Sequence, residues 1–501
     1  MMINFRRQGK IPVLIIFALT IFCFPFPLGA EESRAEPEQP NLVLIIADDL
    51  GFDDCTPFGG KHVHTPNLQR LADEGMRFDH AFLTCSSCSP SRSTMITGRY
   101  PHNTGAEQLH WPLPKDQITF VEQLKAKGYW TGQAGKWHLG NAVKNRFDVL
   151  YEMGNSAFQL SKDGKGKIRG KGDGSGCENW LPLLKSRPKD KPFFMWLASA
   201  DPHRDYEPNT FDPPHRPENA FVPSYLPDVP ETRKDLVMYY DEIARLDRYI
   251  GLVLHELKRQ NVEKNTMILF LSDNGRPFPR CKTTIYDSGI RTPLIVRWPD
   301  KIKANSVCHQ LVSSVDLAST FLDLAKIKPG KSFQGKSFVP LFTNPNAKIR
   351  EEIYAEHNWH DYESRSRAVR TLRYKYILNE YPDLPNTPPA DAVRSPTYQA
   401  MIKLYKEGKL PPKQSMPFMK PLPVEEFYDL QVDPDELVNL AQDPKWQNVK
   451  EDLAKRLTNW KKETADITPT SRTPDEFDRT TGRVTPARKL PRLPPKDRFK
   501  K

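Results

Sequence analysis

The chain has 501 residues, 38% of them hydrophobic and 10% aromatic, with 73 Lys and Arg against 62 Asp and Glu and a net charge of +11. Its length exceeds one typical core, and its aromatic content excludes a chain that is disordered as a whole. The basic balance admits a nucleic-acid or polyanion partner, although net charge does not say where the charge lies.

The first thirty residues have the pattern of a secretory signal. Three basic residues precede an apolar run at 11–28, and Gly29-Ala30 precedes two glutamates. A membrane anchor is the alternative, but three prolines interrupt the run, and a span needs about 20 uninterrupted apolar residues. We therefore expect cleavage after Ala30, a secreted or periplasmic enzyme, and no transmembrane segment in the mature chain.

Strand and helix patterns then alternate along the chain. Continuous apolar runs, typical of strands buried on both faces, occur at 41–47 and 192–198, and further strands are predicted at 129–134, 266–271 and 294–298. Apolar residues at three- and four-residue spacing predict helices at 66–76, 118–127, 231–260 and 312–325. This order predicts an α/β fold with a large, mostly parallel sheet flanked by helices, whose ligands lie beyond the carboxyl ends of the strands.

The pattern changes near residue 343. Alternating segments within 353–379 and at 426–430 predict a smaller C-terminal antiparallel sheet, and 446–464 predicts an amphipathic helix. Beyond 466, Pro, Thr and basic residues predominate. We expect the chain to have four parts: a signal peptide at 1–30, a catalytic domain at 31–345, a C-terminal α+β subdomain at 346–468 and a basic, Pro-rich tail at 469–501.

Carboxylates follow two of the predicted buried strands. Asp48 and Asp49 follow the strand at 41–47, and Asp273 and Asn274 follow the strand at 266–271. Either pair alone is more typical of a turn. At one sheet edge, three carboxylates and an amide oxygen form an all-oxygen site that suits Ca²⁺ or Mg²⁺ and not zinc.

Cys88 begins the sequence Cys-Ser-Pro-Ser-Arg, which Thr97-Gly98-Arg99 follows. A cysteine at a helix start lies where free N–H groups favour an anion, although a single cysteine is more often a buried apolar residue. The flanking residues match the motif that directs oxidation of this cysteine to formylglycine in sulfatases.

The chain resembles the type I sulfatases of the alkaline-phosphatase-like superfamily over nearly all of its mature length, and among them the N-sulfoglucosamine sulfohydrolases, or heparan sulfamidases. The segments that carry the resemblance are IIADDLGF at 45–52, SSCSPSRSTMITGR at 86–99, GKWHLG at 135–140, DPHR at 201–204, SDNGRPFPR at 272–280 and KTTIYDSGIRTPLIV at 282–296. SPTYQ at 395–399 and FYDLQVDPDELVNLAQDP at 427–444 support the narrower resemblance.

The resemblance implies that a formylglycine-generating enzyme converts Cys88 to formylglycine (3-oxoalanine), whose hydrated gem-diol attacks sulfur. It also implies one Ca²⁺ or Mg²⁺ per chain, held by Asp48, Asp49, residue 88, Asp273 and Asn274. A sulfate carries negative oxygens around its sulfur, so a nucleophile reaches the sulfur only where cations hold those oxygens.

The resemblance also assigns roles to the remaining motif residues. Arg92, Lys136 and Lys282 would hold the sulfate charge, and His203 with Lys282 would protonate the leaving group. His138 would be the base that releases sulfate. Taken without the family, each of these residues has an ordinary alternative: a surface lysine, a capping histidine or a structural Pro-His.

Two features leave the substrate open. Sulfamidases carry Arg where this chain has Lys282, whereas sulfatases at large carry Lys. His360, in HNWHDYE, resembles a sugar-facing histidine of the sulfamidase second domain, but the register also allows His357 or Asp361.

The resemblance implies hydrolysis of a sulfate group from a sulfated sugar, most closely the N-sulfate of glucosamine at a heparin- or heparan-type chain end. Three alternatives stay open: an O-sulfatase on another sulfated polysaccharide or aryl sulfate, a phosphoester hydrolase on the same fold, and a non-catalytic protein that binds sulfated glycans. We expect no nucleic-acid partner. Residues 471–501 hold ten basic and four acidic residues, so we expect a tail that adds only salt-sensitive attraction to polyanions.

Overall fold

The structure is a computed structural model that describes residues 39–153 and 173–489, with the backbone alone of 159–160 and 166–167. The predicted signal peptide and residues 490–501 lie outside the described residues. From Gln39 onward the chain forms one compact unit. Within the described part, none of the helices has the length and apolar character needed to cross a membrane.

The predicted strands and helices are present, with ends shifted by at most a few residues. The strands are β1 (Asn41–Ala47), β2 (Met76–Phe78), β3 (Ala81–Phe82), β4 (Trp130–Gly135), β5 (Val149–Glu152), β6 (Gln159–Leu160), β7 (Gly166–Lys167), β8 (Phe193–Ala198), β9 (Thr266–Ser272), β10 (Leu294–Arg297), β11 (Ser306–Cys308), β12 (Val312–Ser313), β13 (Ile353–His357), β14 (Ser366–Arg370), β15 (Tyr374–Asn379) and β16 (Glu425–Asp429). The α-helices are α1 (Pro66–Asp73), α2 (Cys88–Thr97), α3 (Phe120–Ala126), α4 (Trp180–Ser186), α5 (Pro230–Arg259), α6 (Asp287–Ile290), α7 (Asp316–Leu324), α8 (Pro340–Thr343), α9 (Ala390–Val393), α10 (Pro396–Lys406) and α11 (Gln447–Glu463). The predicted helix at 312–325 is shorter than expected, because its first two residues form β12.

The large sheet has eight strands in the order β11-β2-β10-β9-β1-β8-β4-β5. β1 lies near the centre and runs parallel to β8 and β9, whereas β10 is antiparallel to both of its neighbours. Leu42, Leu44 and Ile46 enter the core on one face of the sheet, and Val43 and Ile45 enter the core on the other. Burial on both faces explains the continuous apolar run of β1, and the predicted mostly parallel sheet is confirmed.

The smaller sheet is antiparallel in the order β13-β14-β15-β16, as predicted. On one face Val369 packs with Leu457 and Trp460 of α11. On the other face Ala368 and Ile377 belong to a core of the large sheet. The two sheets therefore share a core, and the domain boundary placed at residue 345 stays a prediction.

The described part of the predicted tail, up to Lys489, is packed into the fold. The Trp359 indole donates to the Pro474 carbonyl (3.1 Å), and Asp475 accepts a hydrogen bond from the Glu363 backbone (2.7 Å). Arg472 forms two hydrogen bonds to Asp383 (2.6 and 2.8 Å). The expectation of a loosely attached tail is corrected for this stretch, because its polar groups have hydrogen-bond partners elsewhere in the fold. The composition of the tail does not show these partners.

Candidate active site at the carboxyl ends of the central strands

The predicted metal-binding residues meet at one edge of the large sheet. Because β1 and β9 are neighbours in parallel register, Asp48 and Asp49 lie beside Asp273 and Asn274. The first turn of α2 adds Cys88, and all five side chains are buried. One ligand atom each of Asp48, Asp49 and Cys88 lie within 4.8 Å of one another.

The turn after β1 is held in an unusual conformation. Asp49 has a φ of 76°, a left-handed value that a residue with a β-carbon adopts only where its surroundings impose it. The Leu50 amide donates to the Ser272 hydroxyl (2.8 Å), and the Gly51 amide donates to the Tyr239 hydroxyl (2.9 Å). These bonds fix the turn and direct both aspartates toward α2.

The donor set fits a hard divalent cation. The Oδ1 atoms of Asp48 and Asn274 are buried, and neither has a hydrogen-bond partner among the described residues. Burial and the neighbouring Asp48 carboxylate raise the pKa of Asp273 to about 7. A Ca²⁺ or Mg²⁺ would satisfy the unpaired oxygens and relieve the repulsion among the carboxylates.

Three cations accompany the three carboxylates, and two of them, Arg92 and Lys282, are buried. Lys136 is hydrogen-bonded to Asp48, Lys282 to Asp49 (2.7 Å) and Arg92 to Asp273 (2.7 Å). Burial alone would lower the pKa of Lys282, but Asp49 holds that pKa well above its ordinary value. The positive and negative charges of these side chains therefore nearly cancel, and a divalent cation would give the site a net positive charge that attracts an anion.

Arg92 bridges two parts of the site, and its role in holding the sulfate stays a prediction. Its guanidinium is fully buried, and it donates to Asp273 and to the Lys136 carbonyl (3.0 Å). Lys136 keeps 18% of its side chain exposed. Arg92 thus links the Asp273 strand end to the Lys136 segment, while Lys136 remains partly exposed.

Cys88 is the first residue of α2 and packs with Leu109 and Trp359. Burial raises the pKa of its thiol far above the ordinary value, and the flanking lysines only partly offset this effect. A thiolate is the nucleophilic form of cysteine, so an unmodified Cys88 would be a poor nucleophile at neutral pH.

His138 is paired with a residue that the sequence analysis does not identify. Its Nε2 lies 2.6 Å from Nδ1 of His110, whose backbone amide donates to the Ser89 hydroxyl in α2 (2.8 Å). Burial lowers the pKa of His138 well below its usual range, and Lys136 and His110 lower it further. The imidazole is therefore neutral near pH 7, and its buried Nδ1 has no hydrogen-bond partner within the described ranges.

His203 stands between two carboxylates. Its Nε2 lies 3.9 Å from Oδ2 of Asp49 and 3.8 Å from Oδ2 of Asp391 in α9. The His203 side chain is 29% exposed. A cavity of about 300 Å³ opens beside it, lined by Asp48, Lys136 and Arg245 among others. A substrate can thus approach His203 from solvent.

The smaller sheet contributes His360 to the site. Its Nδ1 lies 2.7 Å from the hydroxyl of Ser87, the residue that precedes Cys88. Of the two alternatives in register, His357 is bonded to the Ser364 hydroxyl (3.1 Å), and Asp361 accepts a hydrogen bond from the Ala390 amide at the start of α9 (3.0 Å). Neither of these contacts involves the start of α2.

Sequence reasoning missed His110 and Asp391. Each lies in a loop or short helix outside every motif that carries the resemblance, and each reaches the site only through packing of distant segments. No local pattern of the sequence distinguishes them from surface residues.

Two family profiles match the chain. One, described as "Sulfatase", matches residues 40–327, and one described as "N-sulphoglucosamine sulphohydrolase, C-terminal" matches residues 280–388. Human N-sulphoglucosamine sulphohydrolase is 31% identical over 487 residues, covering 86% of this chain and 91% of the relative. An ulvan-active sulfatase of Formosa agariphila is 31% identical over 470 residues, covering 85% and 75%.

Solved structures share the fold. One, described as a complex with its substrate D-glucosamine-2-N,6-O-disulfate, superposes with a TM-score of 0.64 at 22% identity and covers 88% of this chain and 100% of that chain. Another, described as a 2-O GAG sulfatase, has a TM-score of 0.64 at 20% identity, with coverage of 86% and 93%. The predicted alkaline-phosphatase-like architecture is thereby confirmed.

Proposed function

This chain belongs to the sulfatase family, hydrolases of sulfate esters and sulfamates, and we propose that it removes the N-sulfate of a glucosamine at a heparin- or heparan-type chain end. The observation that carries this choice is the similarity to human N-sulphoglucosamine sulphohydrolase over 91% of that relative's length. The match of residues 280–388 to the C-terminal family of the same enzyme supports it in the part of the chain that contains His360.

The nucleophile is residue 88 after its oxidation. The residues around Cys88 match the motif that directs this oxidation in sulfatases. As formylglycine, residue 88 would supply a hydroxyl of its hydrated aldehyde, and a Ca²⁺ or Mg²⁺ held by Asp48, Asp49, Asp273 and Asn274 would withdraw charge from the sulfate oxygens.

Protein side chains orient the sulfate and handle the protons. Lys136 and Lys282 place two positive charges beside residue 88, so the sulfate oxygens are held while sulfur is attacked. His203, exposed toward the cavity, donates the proton that an amine or alkoxide leaving group requires. His138 is neutral near pH 7 and can accept the proton whose removal releases sulfate.

The test is a comparison of three substrates with purified enzyme: glucosamine N-sulfate, glucosamine 6-O-sulfate and 4-nitrophenyl sulfate. The proposal expects the highest kcat/KM on the N-sulfate. Turnover of the O-sulfates alone would exclude the N-sulfate assignment and leave the sulfatase assignment intact.

An O-sulfatase acting on another sulfated polysaccharide is the second candidate. The ulvan-active sulfatase is as similar in identity, at 31%. Lys282 also follows the sulfatases at large and not the sulfamidases. Release of sulfate from ulvan, measured beside heparan oligosaccharides, separates the two candidates.

Modification and export are proposed together, because the enzyme that oxidises Cys88 must meet the chain before it folds around this buried residue. Mass spectrometry of the peptide with residue 88, from the native host, should show an aldehyde. The other five cysteines of the described part are free thiols and serve as internal controls that alkylate after denaturation. The mature protein should begin at Glu31, and unmodified Cys88 with full activity would contradict the mechanism.

A further inference from the structure

Asp391 is a carboxylate beside His203 that accepts no hydrogen bond from a lysine or an arginine within the described residues. Its Oδ1 accepts the backbone amide of Ala392 (2.7 Å). Its Oδ2 lies 3.8 Å from Nε2 of His203, which is beyond hydrogen-bond distance. Asp48, Asp49 and Asp273 differ, since each is hydrogen-bonded to a lysine or an arginine.

Asp391 lies beside His203 and interacts electrostatically with Lys282. His203 Nε2 is 3.9 Å from Oδ2 of Asp49 and 3.8 Å from Oδ2 of Asp391, so both carboxylates lie beside this imidazole nitrogen. The Asp391 side chain is 16% exposed and open to a ligand. A leaving group that takes a proton from Nε2 therefore passes within reach of Oδ2 of Asp391.

The position of Asp391 is fixed from two directions. Asp361 accepts a hydrogen bond from the Ala390 amide (3.0 Å), which anchors the start of α9. Arg394, at the end of α9, donates to the Gly482 carbonyl (2.9 Å). A carboxylate held in this way pays little entropy on binding a ligand.

A carboxylate in a pocket for anions repels its ligand unless the ligand donates a hydrogen to it. Lys282 and His203 keep the pKa of Asp391 below its usual range although burial alone would raise it, so the group is charged at neutral pH. The amine or hydroxyl hydrogens of a sugar are such donors, whereas a second sulfate or a carboxylate is not.

We propose that Asp391 is a specificity-determining residue that accepts a hydrogen bond from an N–H or O–H of the sugar next to the scissile bond and rejects substrates with a second anionic group there. This inference rests on the proposed function in assuming a sugar substrate. It does not depend on whether the bond cleaved is S–N or S–O.

The experiment compares the native enzyme with Asp391→Asn on glucosamine N-sulfate, glucosamine 6-O-sulfate and 4-nitrophenyl sulfate, which has no sugar donor. The amide keeps the shape and can still accept the Ala392 amide. We expect kcat/KM on the preferred sugar sulfate to fall by about 10- to 100-fold, mainly through KM, because a charge-assisted hydrogen bond is lost. The aryl sulfate should change less than about threefold, and selectivity against a disulfated glucosamine should shrink.

The matched control is Asp190→Asn, which alters an exposed carboxylate before β8, at the opposite end of that strand from the site. Equal losses on sugar and aryl substrates would overturn the inference, because Asp391 would then act through His203. Unchanged sugar kinetics would overturn it as well. If neither sugar sulfate is hydrolysed, the proposed function fails. The role of Asp391 is then tested by inhibition of aryl sulfate hydrolysis with glucosamine N-sulfate. Equal inhibition constants for the native and Asp391→Asn enzymes would refute this role.

Discussion

Removing residues 470–501 should inactivate the enzyme, whereas removing only 490–501 should not. The first truncation deletes the strap, which we define as residues 470–489. The strap covers the loop at 357–363, and this loop carries Trp359, which packs on Cys88, and His360, which contacts Ser87. The second truncation deletes only residues outside the described part of the chain.

The size of the effect follows from the contacts that the strap makes. Trp359, 1% exposed, donates to the Pro474 carbonyl, and the Glu363 amide donates to Asp475. The Glu476 amide in turn donates to the Asp361 carbonyl (2.9 Å). A buried donor left without its acceptor costs roughly 1–3 kcal/mol, so the two loop donors lose roughly 2–6 kcal/mol. That is a large part of the 5–15 kcal/mol by which a typical domain is stable.

The assay measures kcat/KM on glucosamine N-sulfate and Tm for both truncated proteins. Displacement of groups beside the nucleophile should lower kcat/KM by at least about 100-fold in the shorter protein. The longer protein should stay within about twofold of the full chain, since it keeps every contact of the strap named above. Asp475→Ala, which removes one acceptor and leaves the strap, should fall between them. Unchanged activity of the protein ending at residue 469 would refute the reasoning.

Three further perturbations test the site and the core. A chelator should lower both Tm and activity, and the free energy of unfolding should fall by about 4 kcal/mol if the cation is present at 1,000 times its Kd. Added Ca²⁺ or Mg²⁺ should restore Tm and activity in the native enzyme but not in Asp48→Asn. A Tm that does not change on chelation would exclude the metal site. Arg92→Lys should destabilise the fold by roughly 3–5 kcal/mol in urea unfolding, because a lysine cannot replace both guanidinium contacts of a buried pair; a loss below about 1 kcal/mol would contradict this. Burial lowers the pKa of His357 to about 3, whereas the same histidine has a pKa of about 6.5 in the unfolded chain. The contribution of neutral His357 to the free energy of unfolding is therefore complete above pH 6.5 and falls by about 1.4 kcal/mol for each pH unit below it, because only the unfolded state binds the proton. His357→Gln should flatten this slope in unfolding experiments at pH 4–7, the exposed His309→Gln should not, and equal slopes for the two variants would refute the assignment.

The central part of the fold was predictable because its information is local. β1 is buried on both faces, so its sequence is apolar throughout, and the polar residues that follow it must lie at the sheet edge. The same reasoning applies to β9, and the pairing of β1 with β9 then places Asp49 beside Asn274. A motif that spans a strand end carries both its own position and its chemistry.

The other side of the site was not predictable from local patterns. Asp391 reaches His203 from 188 positions away in the sequence, and His110 reaches His138 from outside the GKWHLG motif. The strap shows the same limit, because its arginines match the composition of a solvated tail until Asp383 and Asp475 are seen to pair with them. Nothing in the composition distinguishes a paired arginine from a free one.

The groups proposed to hold the sulfate and the groups proposed to contact the sugar are attached to the fold in different ways, and this affects how substrate choice can change. The groups around the sulfur are hydrogen-bonded to one another through buried ion pairs, so altering Arg92 or Lys282 disturbs the metal-binding residues as well. The groups that we propose to contact the sugar lie on α9 and on the 357–363 loop, which are tied to the rest by a few hydrogen bonds to Asp361 and to the strap. Substitutions there can alter which sugar fits while the cleavage chemistry stays intact. Asp391→Asn is the smallest such change, since it alters one charge and leaves every buried ion pair at the sulfur in place.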